Sequence, residues 1–312
     1  MFRDLVEHSH LCQKQQWKFE LSKIAELARH RDAQIKREQK QVPKALDLTA
    51  VVFHESRCGS TLVANTLIGM NPTKHRTYSE SAPPAVAIKS VCGETYSVCS
   101  KQQAAKVLKD VMYLMSRTND PKEERVFFKM QSVTTRNLAV FQEAFPDTPW
   151  LFVYREPVQV MMSHMKDGIR HANCVRSQVS PPKIVRDIFA RKKLRVENKQ
   201  PELYCAAHLA SITESAVAGL KVSNRGIPVN YDTLPDRLYT EILPSIGVEV
   251  GPDDIERIQQ VASKYAKGRG SRAGQFEGDS EQKEKMASEE VKYAAEIFLK
   301  ESFETLSNYW WS

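Results

Sequence analysis

The sequence has no apolar run of about 18 residues, the length that a membrane-spanning helix requires. The opening Met1 to Lys14 also lacks the apolar centre of a secretory signal peptide. The cysteines form no C-x-x-C pair, and a chain of 312 residues does not need disulfides to hold a small core together. These absences predict reduced cysteines, no membrane partner and a cytoplasmic protein. The six cysteines are Cys12, Cys58, Cys92, Cys99, Cys174 and Cys205.

Motifs for metals and nucleic acid are also missing. Neither H-E-x-x-H nor a clustered spacing of histidines and cysteines occurs, so we predict no metal site. No motif for reading nucleic acid is present, and aromatic residues are not interleaved with a basic stripe. The net charge of +7 is spread along the chain, which favours a phosphorylated or sulfated ligand over nucleic acid.

With 41% hydrophobic residues, the chain is able to bury a sizeable core. Apolar residues recur at helical spacing between 16 and 41, and Pro43 then breaks the pattern. We therefore predict an N-terminal helical extension over 1–45 and one α/β domain over 46–312. Strand candidates alternate with helical patterns in this domain, which predicts a three-layer fold with a central parallel sheet flanked by helices. The strand candidates are 46–54, 125–130, 150–154 and 227–230.

A glycine loop, in H-E-S-R-C-G-S-T-L, joins the first strand candidate to a helical pattern. Gly59 and the small residues Ser60 and Thr61 let backbone N–H groups converge on an anion at the start of a helix. An ATP or GTP loop needs a lysine after its last glycine and a magnesium-binding hydroxyl next. Ser60 occupies the lysine position, and no early glycine is present. The loop predicts a P-loop-type fold that holds phosphate by its main chain without magnesium.

A second motif, L-F-V-Y-R-E-P-V-Q-V-M-M-S-H, contains an apolar strand that ends at Arg155. Ser163 follows eight residues later, about two helical turns further on. A bidentate guanidinium suits a phosphate dianion better than an ammonium does. Without the glycine loop, a capping salt bridge and a surface hydroxyl would be the better explanation of these two residues. The presence of both motifs in order favours a nucleotide site.

Together the two motifs resemble those of the sulfotransferases that use 3'-phosphoadenosine-5'-phosphosulfate (PAPS) and release 3'-phosphoadenosine-5'-phosphate (PAP). Cys58 stands where the family usually has a hydroxyl residue in its 5'-phosphosulfate loop. The resemblance implies that the loop holds the phosphosulfate end and that Arg57 stabilises the leaving phosphate oxygen. It also implies that Arg155 and Ser163 grip the 3'-phosphate, with no metal. The loop residues concerned are Ser56, Arg57, Cys58, Gly59, Ser60 and Thr61.

Two weaker matches lie downstream. V-N-Y-D-T-L-P resembles a family segment whose tyrosine lies against the adenine, which implies that role for Tyr231. A tyrosine at the end of a strand is explained equally well by core packing. Y-A-K-G-R-G-S-R-A-G resembles the late K-G-x-x-G element that closes over the 3'-phosphate, which implies a flexible lid loop over 266–285. The lid residues so implied are Lys267, Gly268 and Arg269, with Arg272 in reserve.

Cytosolic small-molecule members of the family use as catalytic base the histidine of a K-x-H motif on the strand before the second motif. The corresponding residues here read K-M-Q, so the base must lie elsewhere. Gln131 does not abstract a proton, although Lys129 is able to offer charge to the sulfonate. Other branches of the family, the protein-tyrosine and bacterial trehalose types, have a glutamate some distance after the glycine loop. Glu80 stands at the same distance after the glycine loop of this chain. The resemblance therefore implies Glu80 as the base. The reserve candidates are His54 and His164.

A basic insertion over 167–200 has nine lysines and arginines against three acidic residues. A lid for an acidic acceptor and an ordinary solvated helix face explain it equally well. The predicted function is transfer of the sulfonate of PAPS to a hydroxyl or amine of a soluble small-molecule acceptor. The acceptor and the oligomeric state are not readable from the sequence.

Three alternatives to this function stay open: a nucleotide-binding module without catalysis, prompted by Gln131, a kinase with a degenerate loop, and a basic nucleic-acid-binding protein. A cysteine-dependent phosphatase is excluded, because its C-x5-R motif would need an arginine where Ala64 stands.

Overall fold

A computed structural model describes residues 18–93, 100–166, 168–195, 200–264 and 280–309 of the protein. Within these ranges the chain forms a central five-stranded parallel sheet and a separate two-stranded antiparallel ribbon. The strands are β1 (Lys44–Ala45), β2 (Asp47–His54), β3 (His75–Ser79), β4 (Arg117–Thr118), β5 (Arg125–Lys129), β6 (Trp150–Tyr154) and β7 (Gly226–Asn230).

Helices connect the strands and follow the last of them. The α-helices are α1 (Leu21–Arg37), α2 (Ser60–Met70), α3 (Ala82–Cys92), α4 (Lys101–Ser116), α5 (Leu138–Ala144), α6 (Pro157–Met165), α7 (Lys183–Arg191), α8 (Pro201–Val222), α9 (Leu243–Ser245), α10 (Pro252–Ala262), α11 (Ser280–Met286), α12 (Glu289–Phe298) and α13 (Lys300–Ser307). Shorter 3-10 helices lie at Ser132–Asn137, Ile169–His171, Asn173–Val175 and Tyr231–Thr233, and a π-helical turn lies at Leu238–Ile242.

The strand order in the main sheet is β3-β5-β2-β6-β7, and every neighbouring pair is parallel. Strand β2 is therefore central. The chain first adds β3 and β5 on one side of β2 and then β6 and β7 on the other, so the connections change direction there. In open α/β sheets, ligands bind beyond the carboxyl ends of the strands at such a point. The glycine loop follows β2 and lies at this position.

Both faces of the sheet are buried, as the apolar strands predict. Successive side chains of a strand point to opposite faces, and Val51 and Val52 accordingly belong to different core layers. One layer includes Leu67 of α2, and the other includes Leu108 of α4. The prediction of an α/β fold with a central parallel sheet flanked by helices is confirmed.

The N-terminal helix α1 docks on the α/β body. Asp32 accepts a hydrogen bond from the Tyr113 hydroxyl at 2.6 Å and pairs with Arg117 at 2.7 Å. Ala25, Ala28 and Ile35 are buried on the same helix. These contacts hold α1 against the α/β body, while the division into 1–45 and 46–312 stays a prediction.

The expectation of reduced cysteines is wrong for at least three of them. Cys174 and Cys205 form a disulfide, and Cys92 is also disulfide-bonded. Cys174 and Cys205 are 31 residues apart in sequence, but their Cα atoms are separated by only 4.8 Å, within the range that a disulfide spans. The size of the chain indicates only whether disulfides are needed for stability. It gives no information on which cysteines lie close together.

Disulfides persist in oxidising compartments. The bond between Cys174 and Cys205 therefore counts against the expected cytoplasmic location, which stays a prediction. None of the helices among the described residues is both long enough and apolar enough to cross a membrane.

Candidate functional site

The carboxyl edge of the sheet gathers most of the predicted site residues. Because all five strands are parallel, the residues that end or follow them meet at this edge. The glycine loop follows β2, and each of the other four strands contributes one predicted residue. These four are Glu80 after β3, Lys129 at the end of β5, Arg155 after β6 and Tyr231 after β7.

The glycine loop has an unusual backbone conformation. Ser56, Arg57 and Gly59 have φ angles of 76°, 58° and 86°. The first two are not glycines, and residues held in the left-handed region cost about 1–3 kcal/mol each and cluster at functional sites. Left-handed residues among right-handed ones point successive N–H groups into a concavity that binds anions. Helix α2 begins at Ser60, so its positive dipole end lies at the same place.

Cys58 is a buried structural residue of this loop. Its thiol donates a hydrogen bond to the Val153 carbonyl of β6 at 3.1 Å. Burial raises the pKa of the thiol to about 12. The thiol is therefore neutral at ordinary pH, which agrees with the exclusion of a cysteine-dependent phosphatase.

Tyr231 links the glycine loop to the second motif. A Cβ atom placed on Gly59 would lie 2.3 Å from the Tyr231 ring, so the loop backbone passes directly beneath the ring. The Arg155 guanidinium lies 4.2 Å from the centroid of the same ring, in cation–π geometry. Tyr231 is thus in contact with both phosphate-binding candidates, and its implied role beside the adenine stays a prediction.

Arg155 is 5% exposed and is held by side chains of two helices. Its Nε donates to Gln159 Oε1 at 2.7 Å, and its Nη2 donates to Ser280 Oγ at 2.8 Å. The Gln159 amide in turn donates to Glu284. Ser280 and Glu284 belong to α11, within the segment predicted as a lid, so the described end of that segment contacts the arginine.

Ser163 and Arg57 are joined through the backbone of α6. The Ser163 hydroxyl donates to the Gln159 carbonyl at 2.8 Å, and the Ser163 carbonyl accepts a hydrogen bond from Arg57 Nε at 3.0 Å. The glycine loop therefore contacts the helix of the second motif directly. The roles implied for these two residues stay predictions.

Glu80 and Lys129 form an ion pair at the ends of β3 and β5. The Lys129 side chain is 1% exposed, whereas that of Glu80 is 49% exposed. The Glu80 backbone N–H donates to the Lys129 carbonyl at 2.7 Å. The Glu80 carboxylate is thus accessible, and its ion pair with the buried Lys129 ammonium holds it in position.

The residue at the usual histidine position lies beside this carboxylate residue. Gln131 Nε2 lies 3.4 Å from the Glu80 carbonyl. Glu80 therefore lies beside the position at which K-x-H members of the family have their histidine.

Of the two reserve histidines, His54 is held by hydrogen bonds with the backbone. The Ser56 N–H donates to His54 Nδ1 at 3.0 Å, so the ring proton is on Nε2, 3.0 Å from the Met130 carbonyl. His54 is therefore engaged through both nitrogens. His164 lies within electrostatic range of His208, a residue of α8 whose pKa is lowered to about 3 by burial and by Arg136.

Glu55 is a site residue that the sequence reasoning missed. It is 4% exposed, and its Oε1 accepts the Arg155 backbone N–H at 2.6 Å. Burial raises the pKa of this carboxyl well above its ordinary value of 4.5. The hydrogen bond ties the end of β2 to the end of β6. A charged residue between a strand and a glycine loop was the one available signal.

We expect Glu55→Gln to flatten the pH dependence of stability. The folded pKa is raised, so the contribution of Glu55 to the free energy of unfolding is complete below 4.5 and is lost as pH rises through the folded pKa. Glutamine keeps an acceptor for the Arg155 N–H and cannot ionise. Thermal melts of both proteins between about pH 4 and 8 should show the variant gaining relative stability with rising pH.

Glu55→Ala is the contrasting variant, because it leaves the Arg155 N–H without this acceptor. It should cost about 1–3 kcal/mol. Parallel pH profiles for the wild type and Glu55→Gln would show that Glu55 is not protonated in the folded protein.

Some predictions fall outside the described residues. These are Lys267, Gly268, Arg269 and Arg272 of the implied lid. Among the residues that the structure does describe, no group of histidine, cysteine, aspartate or glutamate side chains is arranged to hold a metal ion.

Comparisons with known proteins give distant structural likenesses. No family model and no curated protein sequence matches the chain. The sulfotransferase domain of the Synechococcus PCC 7002 olefin synthase is 10% identical, with 85% of this chain and 94% of that chain covered and a TM-score of 0.39. Sulfotransferase STF1 from Mycobacterium tuberculosis H37Rv is 13% identical, with coverages of 89% and 81% and a TM-score of 0.42. Sulfotransferase STF9 from Mycobacterium avium is 12% identical, with coverages of 89% and 80% and a TM-score of 0.47.

Proposed function

We propose that the protein transfers the sulfonate group of PAPS to a hydroxyl or amine of a small-molecule acceptor. The observation that carries the proposal is the contact of Tyr231 with both Gly59 and Arg155. An anion-binding loop, an aromatic ring and a buried guanidinium are the chemical groups that a nucleotide with phosphates at both ends of its ribose requires.

The residues present fit such a nucleotide. Gly59 has no Cβ and the Tyr231 ring occupies that place, which holds the aromatic ring directly against the anion-binding loop. The loop 56–61 would hold the phosphosulfate end, Arg155 and Ser163 the 3'-phosphate, and Tyr231 the adenine. PAPS, when bound, supplies an activated sulfonate.

The chain contributes charge and a base. Arg57, bound to the Ser163 carbonyl at 3.0 Å, is positioned by that contact and would offset charge on the phosphate oxygen. Lys129 would offset charge on the sulfonate. The accessible carboxylate of Glu80 would accept the proton of the acceptor.

A nucleotide-binding module without catalysis is the second candidate, and one contact favours it. The Glu80 carboxylate pairs with the buried Lys129, and such a carboxylate also serves as a structural counter-ion. The kinase and nucleic-acid alternatives receive no comparable support from the described contacts.

Calorimetric titration of PAP and of ATP tests the nucleotide. We expect PAP to bind more tightly than ATP, with and without magnesium. Arg155→Lys should weaken PAP binding by about 10- to 100-fold, because it removes charged hydrogen bonds worth about 1.5–3 kcal/mol.

Arg125→Lys is the matched control, since Arg125 begins β5 at the opposite edge of the sheet and donates to the Gly247 carbonyl at 2.9 Å. Tighter binding of ATP than of PAP would overturn the proposal. If PAP binds more tightly, transfer of labelled sulfonate from PAPS into a host metabolite extract, read by mass spectrometry, would identify the acceptor.

A further inference from the structure

An open cleft lies at the basic insertion, and none of the predicted site residues lines it. It has a volume of about 1090 Å³ and is formed by the turn at Asn173–Val175, helix α7 and the start of α8. The volume is slightly above the roughly 300–1,000 Å³ that small-molecule pockets have. The residues from 56 to 163 assigned to the nucleotide do not line it.

The cleft combines an apolar surface with positive charge. Among the described residues that line it, none is acidic, and three are arginines. Most of the others are apolar, and one of these, Val179, is fully exposed. The apolar lining consists of Val175, Val179, Pro181, Ala190, Leu194 and Pro201.

Two of the arginines are available for a ligand. Within the described part of the chain, Arg170 and Arg195 make no hydrogen bond or ion pair with another residue. Arg186 donates to the Pro181 carbonyl at 2.7 Å, which fixes its side chain beside the apolar surface. A guanidinium without a carboxylate partner favours an anion, because it then exchanges water for charged hydrogen bonds.

The walls of the cleft are held together covalently. The disulfide joins Cys174, next to the lining residue Val175, to Cys205, about one helical turn after Pro201. On α7, Val185, Ile188 and Phe189 are buried in the core. The opposite face of α7 therefore presents Arg186 and Ala190, four residues apart, to the cleft. A cleft with fixed walls is preorganised for binding.

We propose that this cleft binds a soluble amphipathic anion, a small molecule with an apolar body and a carboxylate, sulfate or phosphate headgroup. The apolar body would cover the lining around Leu194 and the exposed Val179. The headgroup would lie between Arg170, Arg186 and Arg195. The site gives the basic insertion a specific ligand chemistry, and it does not depend on whether the protein transfers sulfonate.

Calorimetric titration with decanoate, kept below its micelle concentration, tests the proposal. Decyltrimethylammonium has the same chain length with the opposite charge and should not bind. The triple variant Arg170→Gln/Arg186→Gln/Arg195→Gln should weaken decanoate binding about tenfold or more, because each arginine supplies charge-assisted hydrogen bonds.

The matched control is Lys183→Gln/Arg191→Gln/Lys192→Gln, which removes three positive charges from α7 and the residue after it but not from the cleft lining. It should leave decanoate binding unchanged. Absence of saturable binding to the wild type, equal loss in both triple variants, or equal binding of the two detergent ions would overturn the proposal.

Two further measurements separate other outcomes. Binding to anionic vesicles without binding of monomeric decanoate would show that the surface recognises a membrane, and the proposal would be wrong. PAP titration of the same triple variants should be unchanged, because Arg170, Arg186 and Arg195 are not among the nucleotide residues. Failure of PAP to bind any of the proteins would count against the sulfotransferase proposal alone.

Discussion

Replacement of Glu80 by glutamine should lower sulfonate transfer by about 10²- to 10⁴-fold, the contribution of a positioned general base. PAP binding should be unaffected, because Glu80 is not among the residues that would hold the nucleotide. The measurement is transfer of labelled sulfonate from PAPS into the metabolite extract, with a PAP titration of the same protein.

The ion pair with Lys129 makes a structural control necessary. Loss of the carboxylate leaves the buried Lys129 ammonium without its partner, which destabilises a protein when the charge is desolvated. Thermal melts should therefore accompany the assay. The double variant Glu80→Gln/Lys129→Met removes both charges and should recover stability without recovering transfer.

Glu124→Gln is a matched control for the loss of one carboxylate. Glu124 pairs with Lys74 at 3.0 Å, just before β5 at the opposite edge of the sheet. It should keep full transfer. Unchanged transfer in Glu80→Gln would remove Glu80 as the base. Restored transfer in the double variant would show that Glu80 acts only as a counter-ion and that Lys129 is not needed to offset charge on the sulfonate.

Replacement of Gly59 by alanine should reduce PAP affinity by about 100-fold or more, since both the loop and the ring above it must move to accommodate the methyl group. The new Cβ would lie 2.3 Å from one Tyr231 ring atom and 2.7 Å from a second. It would also occupy a φ of +86°, where a side chain costs about 1–2 kcal/mol.

Gly247→Ala separates strain from the steric effect. Gly247 has a φ of +74°, and nothing lies within 4 Å of the position of its Cβ. This variant should lose a similar amount of stability from the backbone alone but keep PAP binding. Equal PAP affinities for Gly59→Ala and Gly247→Ala would show that the contact of the loop with Tyr231 is not needed for the nucleotide.

The sequence predicts four of the five strands of the main sheet well, because these four are largely buried on both faces. Apolar runs at 46–54, 150–154 and 227–230 become β2, β6 and β7 with small changes in their bounds. Parallel strands bring their carboxyl ends to one edge of the sheet. The placement of the motifs at the ends of strands was therefore sufficient to predict that Arg155 and Tyr231 lie near the glycine loop.

Contacts between distant segments could not be predicted in this way. The bond between Cys174 and Cys205 depends on how α8 packs against the turn at Asn173–Val175, which no local pattern records. Glu55 resembles a surface carboxylate until β6 is placed beside it. Ser280 lies 125 residues from Arg155, and a serine in a charged segment gives no indication of that contact. The cleft likewise results from packing of three segments.

Helix α8 affects how the protein unfolds. Its 22 residues span roughly 33 Å, with Cys205 and Leu209 in one core layer and Ile212 and Ala216 in the other. A helix shared in this way prevents either layer from opening while the other stays closed. The two layers should therefore melt as one cooperative unit, and damage at the cleft end of α8 would be transmitted to the far side of the sheet.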